Sequence, residues 1–162
     1  MLNPFRNGAV GRGIALASFV AASAMLASSA IAGECPADSR GTDVRQPVSL
    51  PAKGVTDTVL AKIELANEPI RLKDRDMRVR RLVIEPGGVV PWHSHADRPA
   101  LIYIVEGEIH EYASNCSAPI LHKAGEVARE TSATSHWWKN LGDKTVVLLS
   151  FDILHDKHDK HM

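Results

Sequence analysis

The chain has 162 residues, with 19 basic and 19 acidic side chains, 44% hydrophobic residues and a pI near 7.1. One domain of ordinary globular composition is expected at this length. A balanced charge and a 5% aromatic share leave neither the basic footprint nor the stacking surface that nucleic-acid binding requires.

Residues 1–32 carry Arg6 and Arg12, then the apolar run Ile14 to Ala22, and end on Ala30-Ile31-Ala32. A basic start, a short apolar centre and a small-residue close predict a secretory signal peptide cut after Ala32, and the run is too short and too rich in Ala and Ser to span a bilayer. The mature protein is therefore expected to be periplasmic or secreted, with no membrane attachment. Cleavage removes Arg6 and Arg12 and no acidic residue, which leaves a formal charge of −2. In an oxidising compartment Cys35 and Cys116 are expected to pair. In the chain-entropy account the loop of roughly 80 residues that this bond would close contributes about 4 kcal/mol.

Residues 33–54, with Pro36, Gly41, Pro47, Pro51 and Gly54 among polar residues, predict an irregular arm. Thr56 to Leu65 places Val59, Ala61, Ile63 and Leu65 on one parity, the alternation of a half-buried strand. Met77 to Glu85 reads as a second strand, with Arg78, Arg80 and Arg81 as a solvated edge that discourages strand addition. Pro86-Gly87-Gly88 predicts a turn. Leu101 to Val105 is continuously apolar, as in a strand buried on both faces, and Glu106-Gly107-Glu108 predicts a hairpin into Ile109 to Tyr112.

Ser114 to Pro119 reads as a loop holding Cys116, Ile120 to His122 resumes a strand, and Val146 to Phe151 closes with a strongly apolar one. Residues 155–162 form a charged tail with histidines spaced by three. No mature segment shows capped helical periodicity. Many short strands between turns predict an all-β sandwich or barrel over residues 55–154.

His93 and His95 stand at i and i+2 on an extended segment, so both side chains project from one face. His136, in a later strand-like run, is the candidate for a third imidazole, and such a set suits iron, manganese, zinc, nickel or copper. The spacing resembles the cupin family. Gly87, His93, His95 and Gly107 fit its first motif, and Gly125, His136 and Asn140 fit its second. The family's glutamate falls on Ala100, and its proline and second glycine in the second motif fall on Thr131 and Ala133.

The resemblance implies a small jelly-roll β-barrel holding one divalent transition metal through His93, His95 and His136. It also implies a small-molecule ligand, which Tyr103 and Trp138 are candidates to touch. Strand parity sets Trp92 and Trp137 off the ligand face and Trp138 on it. Asp97, two residues after His95, is a candidate to replace the missing carboxylate, although Ala96-Asp97-Arg98-Pro99 reads as a turn. Glu108 and Tyr103 are the remaining candidates for an acid or base. A metal-dependent oxygenase or isomerase and a non-catalytic ligand or metal carrier both follow from this reading, with a homodimer as a further expectation. Neither a nucleophile elbow nor a phosphate-binding glycine loop is present.

Overall fold

The structure, a computed structural model, describes residues 33–155. The segment expected to be a signal peptide and most of the tail lie outside them. Eight strands follow the arm: β1 (Lys53–Glu64), β2 (Asp76–Ser94), β3 (Ala100–Glu106), β4 (Glu108–Ala113), β5 (Ile120–Lys123), β6 (Val127–Glu130), β7 (Ser135–Lys139) and β8 (Val146–Leu154). Two single-turn 3₁₀ helices, Ala37–Ser39 and Leu65–Asn67, are the helical elements among the described residues. The strands are ordered β5-β4-β7-β2-β8-β3-β6, with β1 on β2, and curl into a nearly closed all-β barrel.

Strand β2 is the axis of this arrangement. Its first half pairs with β8, from Asp76↔Leu154 to Ile84↔Val146, and its second half pairs with β7, from Val89↔Lys139 to Ser94↔Ser135. Pro86-Gly87-Gly88, expected to turn the chain, instead lets one 19-residue strand bend between two partners. Gly87 adopts φ +73, and a Cβ at Gly88 would meet Ile84 Cγ2 at 2.7 Å and Glu85 O at 2.8 Å, so the bend closes only on glycine. Asn140 locks it: its backbone bonds Gly87 and Gly88, and its buried amide donates to Ile84 O and Lys144 O.

Alternating inward residues build the core: Leu82, Ile84 and Val90 from β2, Ile102 and Ile104 from β3, Ile109 from β4, Ala128 from β6, Trp138 from β7, and Val146 and Leu148 from β8. Burial of each larger apolar side chain contributes roughly 1.5–3 kcal/mol. Three expectations fail here. Strand β3 is buried on one face only, with Leu101, Tyr103 and Val105 exposed outside the barrel, because the covering strands lie beside it and not over it. Glu106-Gly107-Glu108 is no hairpin, since β3 pairs with β6 and β8 while β4 pairs with β5 and β7; Gly107 passes the chain between the two halves of the barrel. Strand β1 is a mostly exposed outer strand, with Val59 and Ile63 facing solvent and Val55 reaching the core.

The arginines of β2 also differ from the expected solvated edge. Strand β2 has β1 on one side and β8 on the other, so Arg80 is buried and bonds Asp57 and Ser150, and Arg78 makes two bonds to the fully buried Asp152 at 3.0 and 2.8 Å. Buried guanidinium groups are tolerated because carboxylates meet them. Arg81 is the exposed member of the three.

The arm is irregular, as expected, and is held against the loop before β5. Cys35 and Cys116 form a disulfide with Cα atoms 5.8 Å apart. Arg40 bridges Cys116, and the Arg45 guanidinium donates to Cys116 O and Ser117 O.

Candidate metal centre

His93 and His136 are direct cross-strand partners in the β2–β7 ladder, and His95 lies two residues along β2. The Nε2 atoms of His93, His95 and His136 stand 3.2, 3.0 and 3.1 Å from one another, and all three rings are buried. The other ring nitrogens fix the tautomers. His93 Nδ1 lies 2.9 Å from Pro91 O, and His95 Nδ1 lies 2.8 Å from Arg98 O. Carbonyl oxygens only accept, so both Nδ1 atoms carry the hydrogen and both Nε2 atoms present bare lone pairs. Burial, reinforced by His136, lowers the pKa of His93 to about 2 and that of His95 to about 4, so neither ring is charged at neutral pH.

His136 is oriented by a carboxylate. Its Nδ1 lies 2.8 Å from Glu111 Oε1, and Glu111 Oε2 lies 2.8 Å from His122 Nε2. Burial opposes ionisation of Glu111, but the bonds from His122 and His136 overcome it and lower its pKa to about 2. The ionised Glu111 accepts from both imidazoles. Burial disfavours a charge on His136, yet Glu130 and Glu111 raise its pKa. Glu130, whose Oε2 is 3.4 Å from His136 Nδ1, is raised to about 8 by burial and then by the Glu111 charge, against the pull of His136.

With His136 Nδ1–H committed to Glu111, the neutral ring turns a third lone pair to the common centre it shares with His93 and His95. That arrangement is repulsive unless a proton on His136, which its raised pKa favours, or a metal cation sits between them. The donor set therefore fits a divalent transition metal, and the carboxylate behind His136 is the partner expected of a metal-binding imidazole.

A cavity of about 20 Å³ adjoins His93 and His95, walled by Trp138, Ile102 and Leu148 and edged by Arg80 and Ser150. Trp138 is buried there, with its indole nitrogen 3.1 and 3.2 Å from the His136 ring nitrogens. Trp137 stacks on Tyr112 at 4.0 Å on the opposite side of β7. Tyr103, a sequence candidate for ligand contact, is on the outer face of β3, away from this cavity. Glu108 is exposed. Asp97 is not a substitute ligand: its exposed carboxylate bonds Arg75 at 2.6 Å and also meets His155, so it clamps the loop after β2. Arg75 holds its pKa below the usual carboxylate value.

Sequence reading missed Glu111, His122 and Glu130. A signal was present: Glu111 shares the buried parity of Ile109 and Ala113, and Glu130 that of Ala128. A carboxylate on the inward face of a strand requires a partner.

Residues 80–152 match the family model described as Cupin_2, cupin domain. The match places this segment, which holds His93, His95 and His136, in the cupin superfamily. Among solved structures the chain is similar to KdgF from a Halomonas species, at 16% identity and TM-score 0.49 over 65% of this chain and 83% of that one. It is also similar to an RmlC-like cupin from Shewanella frigidimarina (14% identity, TM-score 0.49, 70% and 86% of the two chains). A cupin domain from Bordetella pertussis gives 18% identity and TM-score 0.47 over 65% and 98%. No curated protein matches the chain.

Proposed function

We propose that the protein is exported and holds one divalent transition metal through His93, His95 and His136, acting as a metal-dependent oxygenase or isomerase of a small organic substrate. The observation that carries this reading is the set of three Nε2 lone pairs 3.0–3.2 Å apart with their Nδ1 atoms bonded elsewhere. A bound metal supplies a Lewis acid or an oxygen-activating centre with positions left open by three protein ligands. The chain's own residues prepare that centre. Pro91 O and Arg98 O hold two imidazoles in the ligating tautomer, Glu111 orients the third, and Trp138, Ile102 and Leu148 exclude bulk water. Arg80 Nε, buried without a hydrogen-bond partner, borders the same cavity and offers a donor to an oxygen atom of the substrate. Export is supported by the basic-then-apolar leader and by the Cys35–Cys116 disulfide.

The alternative, a non-catalytic carrier of metal or a small ligand, has its own support. A cavity of about 20 Å³ holds about one water molecule, far below an ordinary ligand pocket. Elemental analysis of the exported protein purified without a histidine tag, followed by oxygen-uptake and isomerisation screens of the loaded form, tests both. Stoichiometric metal with turnover supports the enzyme, stoichiometric metal without turnover supports the carrier, and the absence of metal after loading removes both.

A further inference from the structure

On the far side of His136 from the small cavity lies a second one of about 200 Å³, between the arm and strands β4, β5 and β6. Two buried polar atoms at its wall have no hydrogen-bond partner: His122 Nδ1 and Glu130 Oε1. His122 Nε2 faces the ionised Glu111 and carries its hydrogen there, so in the neutral ring Nδ1 is an acceptor. A buried acceptor such as His122 Nδ1 is costly without a donor, so this cavity suits a hydrogen-bond donor.

Gly33 also lines the cavity. A Cβ on Gly33 would lie 3.1 Å from His122 Nδ1 and 3.2 Å from Glu126 Oε2, so this residue sits close to the His122 ring and the Glu126 carboxylate. Its own nitrogen is about 2.5 Å from that Cβ position by tetrahedral geometry. The disulfide at Cys35, two residues on, and the ion pairs from Glu34 to Arg40 and Arg129 tie the segment in place. Within a longer chain the Gly33 nitrogen has one hydrogen in one direction, and that hydrogen does not satisfy His122 Nδ1. Gly33 is also the residue that cleavage after Ala32 would expose.

We infer that the second cavity is the docking site of the protein's own processed N-terminus, whose α-ammonium donates to His122 Nδ1 and to Glu130 Oε1 and pairs with the Glu126 carboxylate. This inference rests on the export reading above. An α-ammonium is largely protonated at neutral pH and carries three hydrogens that rotate to suit their acceptors. Glycine leaves the space a side chain would fill. Docking completes a continuous path from the chain terminus through His122 and Glu111, in two steps of 2.8 Å, to the ring of His136. Maturation of the chain thus sets the hydrogen bonding behind one metal-binding imidazole. The titratable groups around the ammonium are Glu34, Glu111, Glu126 and Glu130, with Arg40, Arg129 and His122 facing them.

The test uses the exported, full mature protein. Its intact mass identifies the first residue, and the rate at which a small acylating reagent modifies the α-amino group is compared in folded and unfolded protein. A chain beginning at Gly33 whose amine reacts about tenfold more slowly when folded, the effect of roughly one pK unit, is the expected result. Extending the mature chain by Ala32, or acetylating the native terminus, is expected to lower the thermal midpoint. A chain beginning at Gly33 with equal acylation rates and an unchanged midpoint after acetylation overturns the inference while leaving export intact. A chain that begins elsewhere or retains its leader overturns the cleavage reading, and the inference with it.

Discussion

Glu130 stands directly across the β3–β6 ladder from Ala100, the position where the family's first motif carries its glutamate. Ala100 also faces Asp152 on β8, and all three residues are buried. A carboxylate is therefore present in this part of the barrel, but it arrives from the neighbouring strand and sits behind His136, not among the three Nε2 atoms. Directly opposed side chains lie about 4.5–5.5 Å apart at Cβ. Ala100→Glu is thus expected to set a third carboxylate against two others and to destabilise the protein by roughly 1–3 kcal/mol as overpacking and unpaired charge combine. Denaturant titration checks the loss. A gain in manganese affinity with unchanged stability would show that the new carboxylate reaches the metal instead.

His95→Ala leaves two imidazoles around the centre and is expected to reduce metal content sharply while the β-barrel remains folded, because the core cluster does not include His95. Elemental analysis beside circular dichroism is the check. Equal occupancy in the wild-type and variant proteins would remove the site assignment.

Glu111→Gln keeps the shape but takes the charge from between His136 and His122. The amide offers one acceptor oxygen where the carboxylate offers two, so one imidazole loses its partner. Metal affinity is expected to fall about 10- to 100-fold, the usual cost of losing a residue that orients a ligand. Competition with a chromogenic chelator measures it.

In the metal-free protein the titrating groups oppose one another. His93 and His95 are depressed to about 2 and about 4, so their contribution is complete above the unfolded value of 6.5 and is lost as pH falls. Glu130, raised to about 8, contributes below 4.5 and loses that contribution as pH rises to 8, while the raised pKa of His136 acts in the same direction above 6.5. Between 4.5 and 6.5 the unfolded chain takes up two histidine protons against one held by folded Glu130, so stability rises with pH over that range. Above 6.5 the sign reverses. The thermal midpoint of apoprotein is expected to peak near pH 6.5, and a midpoint that climbs steadily to pH 8 would contradict the protonated Glu130.

Reduction of Cys35–Cys116 frees an arm whose closed loop spans 81 residues. Up to about 4 kcal/mol of stabilisation is expected to be lost, seen as a lower thermal midpoint in reductant. Two reactive thiols in exported protein would contradict the bridge.

The local chemistry of the chain determined its all-β character, the grouping of His93, His95 and His136, and the pairing of Cys35 with Cys116. Alternating apolar residues, paired histidines at i and i+2, and glycines at motif spacing are all properties of short segments, which strand geometry converts directly into faces. Tertiary structure decided what stands across from each residue. Strand β3 looked buried on both faces because apolar composition does not reveal which side another layer covers. Arg80 looked solvated until β1 and β8 flanked β2 and brought Asp57 and Ser150 to it. Glu111, His122 and Glu130 come from three strands, and register alone places them behind His136. Register is a long-range property: a one-residue slip would turn each of these side chains to the opposite face, so their meeting is set by the whole β-barrel and not by the residues around each one.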